Sequence, residues 1–283
     1  MSSITTRPAS EGFGVTVDGV NIASASPDEV ANCRNLLFEH GLLLFEDQEL
    51  DPQEQQAFAE EFGEIVVNRF FTPVPGFPKI AQVLTEADQD WIIGENWHTD
   101  HSYDQVPALG SMLYAEEVPP TGGDTCFAGM QCAYDALSEG MKARLEGLTA
   151  RHDSAHVFAP SEDIRLGEAD ERDDEAYAER AATYPSAVHP VVLAHPETGR
   201  KGLYVNPEFT TEIIGMEKPE SDALLKGLFD HILQPQFTFR RKWQPGSIAI
   251  WDNRSTWHKA QNDYHGHRRL MRRITLEGTA LTQ

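Results

Sequence analysis

From Gly12 to Ile22 apolar and polar residues alternate, the period of a strand with one buried face. Ser26-Pro27-Asp28-Glu29 then supplies a helix cap, a proline suited to the first helical position and acidic side chains for the first turn. The pattern predicts a helix that runs to about His40 and is broken by Gly41. Leu42 to Phe45 reads as a short apolar strand and Pro52 to Phe62 as a second helix. The middle of the chain holds short strand-like runs punctuated by Pro and Gly, such as Gly110 to Tyr114 ahead of Pro119-Pro120. A further helix is expected at Ser221 to Leu233. Ser247 to Trp251 and Leu270 to Leu276 read as strands with a turn between them. No internal repeat, low-complexity tract or Gly/Ser linker divides the 283 residues.

Charge narrows the range of partners. With 23 basic and 45 acidic side chains the net charge is −22, so nucleic acid and anionic membranes are repelled unless a local patch reverses the field. No apolar run approaches the roughly 18 residues of a membrane span, and the N-terminus has no cationic and apolar leader. Three cysteines, Cys33, Cys126 and Cys132, show no metal-type spacing. A reduced, cytoplasmic protein is expected, acting on a small molecule and assembling as a homo-oligomer.

Two segments depart from the average. Ser161 to Arg180 holds nine acidic and three basic residues and few large apolar ones. It reads as a solvated insertion spanning residues 152–185, or as a lid over a site. Conversely, Arg240 to Arg273 holds nine basic residues against Asp252 and Asp263. Either it is a solvated basic face, or it holds a small anion.

Candidate chemistry lies at both ends of the second half. Trp97 to Asp100 reads as a strand end, and residues two apart in an extended chain face one way. His98 and Asp100 can therefore converge on one ion, while His101 by parity points away. A second imidazole would complete the two-histidine, one-carboxylate face that leaves positions open on a non-haem Fe(II). Among 11 histidines, His258 is favoured because it follows the strand Ile248 to Asp252. The turn-like stretch Asp263 to His267 would bring Arg269 back beside it. Arg269 and Arg273 share parity, and a buried arginine needs an anion, either a ligand carboxylate held bidentately or one of the chain's own 45 acids in an internal salt bridge.

Asn96-Trp-His-Thr-Asp100, Thr121-Gly-Gly-Asp-Thr125, Trp251-Asp-Asn-Arg254 with His258, and Arg268-Arg269-x-Met271-x-Arg273 resemble the signatures of the taurine and phenoxyacetate dioxygenases, the TauD/TfdA family. The likeness runs from Gly12-Phe-Gly-Val and Phe62-Gly-Glu64 to the last strand. It implies a mainly β fold with flanking helices, a double-stranded β-helix or jelly-roll barrel of the cupin kind, in one domain over residues 1–283. It also implies Fe(II) on His98, Asp100 and His258, with 2-oxoglutarate as cosubstrate and O2 as oxidant. Thr125 and Arg269 match the residues that hold the distal carboxylate of 2-oxoglutarate. Arg273 matches a position that meets an acidic group of the primary substrate.

The departures bear on that substrate. Where taurine-specific members carry a histidine, a tyrosine and an asparagine, this chain carries Asn68, Phe71 and Gly94. Polar anchors are weakened, and Phe70 and Phe71 offer an aromatic wall, with Phe209 as a further lining residue. Trp97, Trp251 and Trp257 are expected to pack around the barrel mouth. The resemblance therefore implies C–H hydroxylation of a small acidic compound with an apolar body, a sulfonate, sulfate ester or phenoxyalkanoate, with release of succinate and CO2. Tailoring of a hydrophobic natural product is the alternative within the enzyme class, and a non-catalytic metal-binding paralogue is the alternative outside it. Succinate formation separates them.

Overall fold

A computed structural model of the chain describes residues 4–67, 71–90, 92–158 and 184–281. Asn68, Phe70 and residues 159–183 of the acidic insertion lie outside these residues. In chain order the strands are β1 (Thr5–Pro8), β2 (Val15–Asp18), β3 (Leu42–Phe45), β4 (Ile65–Val66), β5 (Pro73–Val74), β6 (Phe77–Thr85), β7 (Gly110–Glu117), β8 (Thr125–Gly129), β9 (Thr149–Asp153), β10 (Ser186–Pro190), β11 (Val192–Ala194), β12 (Lys201–Leu203), β13 (Thr210–Ile213), β14 (Thr238–Arg241), β15 (Ile248–Asp252), β16 (Thr256–Ala260) and β17 (Arg269–Leu276). The helices are α1 (Pro27–His40), α2 (Pro52–Phe62), α3 (Met130–Asp135), α4 (Glu139–Leu145), α5 (Ala155–Phe158) and α6 (Lys218–Ile232).

The large sheet runs β1-β2-β3-β15-β7-β17-β6-β5, with β4 also on β17; β2 and β3 are parallel and the other pairs antiparallel. A smaller antiparallel sheet runs β14-β8-β16. Alternation along β3 shows how the layers meet. Leu43 and Phe45 join Cys33, Leu37, Phe58 and Phe62 of α1 and α2 in one buried cluster. Leu42 and Leu44 join Leu113, Trp251 and Met271 of the large sheet and Phe127 of the small one in another. All four β3 side chains are at most 1% exposed, each contributing about 2 kcal/mol by burial. A third cluster, with Trp257, Leu193, Leu203 and Leu225, packs α6 behind the small sheet.

Local signals set the helix ends. Ser26 and Glu29 form a capping box at the start of α1, and Asp51 and Glu54 do the same for α2, which satisfies amides that a first turn leaves open. The alternating stretch Gly12 to Ile22 yields a shorter strand than its pattern suggests. Ser10 to Phe13 bend, closed by the Ala9 N–H to Gly14 carbonyl bond, and Ile22–Ser24 form a 3-10 turn. Trp97 to Asp100 is not a strand; His98 makes an isolated bridge to His258. Nor does β17 pair with β16. It pairs with β4, β6 and β7, so Arg269 meets His258 from the opposite sheet. Among the described residues no helix is long and apolar enough to cross a membrane, and the three cysteines are free.

Candidate active site

The hairpin of β15 and β16 delivers His258. Its turn is fixed by the carboxylate of Asp252, which accepts from the Arg254 amide at 2.8 Å, from Arg254 Nε and Nη2 at 2.9 and 2.7 Å, and from His195 Nε2 at 2.9 Å. Burial would raise this carboxyl, but Arg254 and then His195 overcome it and hold it far below the ordinary range. Beyond the turn, β16 meets the segment carrying His98. The His98 amide donates to the His258 carbonyl at 3.1 Å and the His258 amide to the His98 carbonyl at 2.9 Å, while Thr99 Oγ1 donates to the Thr256 carbonyl at 3.1 Å.

This bridge sets two imidazoles side by side over one carboxylate. His98 Nε2 lies 3.5 Å from Asp100 Oδ1, His258 Nε2 lies 3.6 Å from Asp100 Oδ2, and one ligand atom from each residue lies within 4.8 Å of the others. His98 Nδ1 donates to the Asn96 carbonyl at 2.8 Å, which leaves the lone pair on Nε2, facing the cluster. Burial pushes His258 well down toward its neutral form, with His98 and Arg273 adding to the effect. For Asp100 burial acts upward, but Arg273, His258 and His98 outweigh it and keep the carboxyl well below its usual range. A neutral His258 beside an ionised Asp100 suits a metal, which binds such groups deprotonated. This donor set fits an open-sided divalent iron site.

A second polar end is built by Thr121 to Thr125. Gly122 and Gly123 both have φ in the left-handed region, and a Cβ on Gly122 would lie 2.5 Å from the Asp263 carbonyl oxygen. The Gly123 amide donates to Asp263 Oδ1 at 2.8 Å, and Arg240 bridges Asp124 and Asp263 at 2.6 and 2.8 Å. On this frame the Gly123 carbonyl accepts from Arg269 Nε at 3.1 Å, and Thr125 Oγ1 accepts from Trp243 Nε1 at 3.0 Å.

The basic segment now resolves. Arg240, Arg241, Arg254, Arg268, Arg272 and Arg273 each pair with a carboxylate. Arg269 has no ion pair among the described residues, although it is only 5% exposed. Its burial works against its charge, and Tyr264 and Asp124 compensate only in part. A buried guanidinium without an anion is costly, so the anion demand of this segment concentrates on Arg269.

Both ends open into one cavity of about 460 Å³, lined by the three clustered residues, Thr125, Arg269 and Arg273. Arg273, unlike Arg269, meets its anion within the protein. Its Nη2 donates to Asp100 Oδ2 and to Ser111 Oγ, and its guanidinium lies 5.6 Å from the Trp251 ring centroid. Phe71 and Phe209 line the same space, Phe209 meeting His98 edge-on at 6.2 Å and Tyr103 at 4.8 Å. Gly94 lines it too, with φ +81°, and a Cβ there would press on His98, 3.2 Å from its Cε1. Ile92, Ile93, Val157 and Phe158 add apolar wall.

Strand parity missed His101. Its φ of 56° breaks the alternation and turns the ring into the cavity wall. His195 was missed as well; it lies 57 positions from Asp252 in the chain, and nothing local marks the pairing. Trp251 packs at 4.6 Å on His258, whereas Trp257 is buried with its Nε1 on the Val205 carbonyl. Lys259 stands over the Trp97 ring.

Residues 5–275 match the family model described as taurine catabolism dioxygenase TauD, TfdA family. The chain is 36% identical over 259 residues to an (S)-phenoxypropionate/alpha-ketoglutarate-dioxygenase of Sphingobium herbicidovorans, covering 89% of this chain and 88% of the other. It is 34% identical over 273 residues to an alkylsulfatase of Acinetobacter baylyi, covering 95% and 84%. Among solved structures, a taurine dioxygenase from Burkholderia xenovorans superposes with a TM-score of 0.82 at 33% identity, over 99% of this chain and 91% of that one. AAD-2 in complex with Mn(II) and N-oxalylglycine superposes with a TM-score of 0.80 at 30% identity, over 99% and 100%.

Proposed function

Because the chain belongs to the TauD/TfdA family of dioxygenases, we propose that its cavity oxidises a C–H bond of a small, partly apolar acid. The enzyme uses Fe(II), 2-oxoglutarate and O2. His98, Asp100 and His258 hold the iron. Bound there with 2-oxoglutarate, iron supplies the oxidising chemistry by which O2 is consumed, 2-oxoglutarate becomes succinate and CO2, and the substrate gains a hydroxyl group. A substrate whose attacked carbon bears an ether or sulfate oxygen would then fall apart after hydroxylation.

The observation that carries this reading is a buried arginine without an anion in the same cavity as the clustered histidines and carboxylate. Arg269 presents its planar fork to the distal carboxylate of 2-oxoglutarate. Thr125 joins it: its oxygen already accepts from Trp243, so its own proton is left to donate. A similar fold that binds Mn(II) with N-oxalylglycine, a dicarboxylate of matching length, supports both assignments. Arg273 holds Asp100 with one amino group, and the rest of its fork, in the cavity wall, is assigned to the acidic group of the substrate. Phe71 and Phe209, with Asn68 and Phe70 from outside the described residues, are assigned to its body. Relatives named for phenoxypropionate and for alkyl sulfates fit such a substrate.

The two sheets enclosing a common core are read as the halves of a double-stranded β-helix, in one domain with the acidic stretch as its insertion. A cytoplasmic homo-oligomer is the accompanying proposal, reducing conditions suiting its free thiols. A coupled assay tests the function. Succinate formation with sulfonates, sulfate esters, phenoxyalkanoates and neutral terpenoid-like compounds should be strongest for an acidic member. Asp100→Ala should abolish it, well beyond the roughly 10- to 100-fold loss of outer-shell changes. Near wild-type turnover by that variant would end the assignment, and preference for neutral compounds would favour the tailoring reading.

A further inference from the structure

Arg269 can take a carboxylate on its fork only if the fork is aimed, and one backbone residue does the aiming. Arg269 Nε donates to the Gly123 carbonyl at 3.1 Å. That bond fixes the plane of the guanidinium and leaves its two amino groups for the cavity that Arg269 lines. Gly123 also lies against the arginine's stem. A Cβ on it would sit 3.2 Å from Arg269 Cδ and 3.3 Å from Nε.

Gly123 has φ +68° and no side chain with which to hold its own place. Its hold comes from the chain just beyond β16. The Gly123 amide donates to Asp263 Oδ1 at 2.8 Å, and Asp263 Oδ2 accepts from Arg240 Nη2 at 2.8 Å. Arg240 is fixed in turn, its Nε donating to Asp124 Oδ2 at 2.6 Å, while the Asp124 carbonyl accepts from the Gln261 amide at 2.9 Å. One carboxylate thus grips Gly123 by its amide, and Arg269 leans on the carbonyl of the same residue. Asp263 itself does not line the cavity.

We propose that Asp263 is a positioning residue for the distal carboxylate of 2-oxoglutarate: by holding the Gly123 amide it places the carbonyl on which the Arg269 fork is aimed. The inference rests on the 2-oxoglutarate assignment above and extends it to a residue that acts only through others.

Calorimetric titration of the Mn(II)-loaded protein with 2-oxoglutarate, without substrate, reads the effect in the absence of turnover. Asp263→Ala should weaken 2-oxoglutarate binding about 10-fold, the lower end of what outer-shell partners contribute. Asp263→Asn keeps an oxygen for the amide and should lose only about 3-fold or less. In an Arg269→Lys background the Nε anchor is already gone, so Asp263→Ala should cost about 2-fold or less there, the non-additivity of residues in one network. Mn(II) affinity should stay within about 3-fold of wild type in every variant, since none touches the metal site. Should the alanine variant fold poorly, Asp263→Ser, a good turn residue whose oxygen is too short to reach the amide, takes its place. Three results overturn the inference alone: wild-type 2-oxoglutarate affinity in the alanine variant, a loss that comes only together with Mn(II) affinity, or an undiminished loss in the Arg269→Lys background. An asparagine variant as weak as the alanine one overturns it as well, by assigning the effect to lost charge. Wild-type protein that binds Mn(II) but not 2-oxoglutarate overturns this inference and the 2-oxoglutarate assignment together.

Discussion

Arg254 and Arg269 are buried to the same depth, 4% and 5% exposed, and differ only in what meets them. Arg254 is answered from inside the protein: it places a two-pronged hydrogen bond on Asp252, which His195 completes. Arg269 is answered by a single backbone carbonyl and an empty-handed cavity wall. Burial of charge is therefore no mark of function in this fold. A charge whose partners are complete holds a turn in place, and a charge whose partners are incomplete states which ligand is to come.

The largest effect should come from breaking the complete cluster. Arg254→Met leaves Asp252 buried with His195 and the backbone amide of residue 254 but no guanidinium, and loss of one member of a buried pair costs about 3–5 kcal/mol. Chemical denaturation of the metal-free protein reads this directly, and a variant as stable as wild type would erase the distinction drawn here. The matching change on the other side should behave differently. Arg269→Met removes a buried charge that has no carboxylate, so the metal-free protein should keep its stability within about 1 kcal/mol or gain some. Its melting temperature should no longer rise with added 2-oxoglutarate. Arg269→Lys should raise the 2-oxoglutarate requirement by roughly 10- to 100-fold, the scale of a lost charge-assisted bond, and move the substrate requirement far less. Equal movement of both would make Arg269 structural, like Arg254.

The smallest effect concerns a third buried group, one that burial keeps uncharged near neutral pH. Burial, reinforced by His189, pushes His152 down to about 3, against about 6.5 for an unfolded histidine. The unfolded chain thus binds the extra proton first. Stability is fully present above about pH 6.5, falls as pH drops toward 3 and is level below that. The carboxylates held low by arginine, Asp100 and Asp252, lose their contribution only below about pH 4. His152→Leu should therefore flatten the stability profile between pH 6.5 and 4.5, partially, because His189 and His258 are depressed too. An unchanged slope would mean that His152 is not held neutral by the fold.

Much of this was legible because it is local. Ser26, Glu29 and Gly41 mark both ends of α1, and the spacing of His98 and Asp100 and of Arg269 and Arg273 places each pair on one wall of the cavity. What escaped is of two kinds. One is long-range pairing: β16 bonds to β8 and β17 to β6 and β7, and no periodicity tells a strand which partner it will find. Hence Arg269 was expected beside His258 and is found facing it. The other is the backbone exception. Parity holds for an extended chain and fails at His101, where one left-handed residue turns the side chain inward. Arg273 lines the cavity and pairs there with a protein carboxylate, and nothing in the sequence shows that this carboxylate is Asp100.

The reciprocal bonds between His98 and His258 also have a consequence in time. The two imidazoles meet only through pairing between segments 160 residues apart. During synthesis at about 5–20 residues per second, His98 emerges some ten to thirty seconds before its partner exists. For that interval the nascent chain carries two of the three clustered residues, His98 and Asp100, without the imidazole that closes the set.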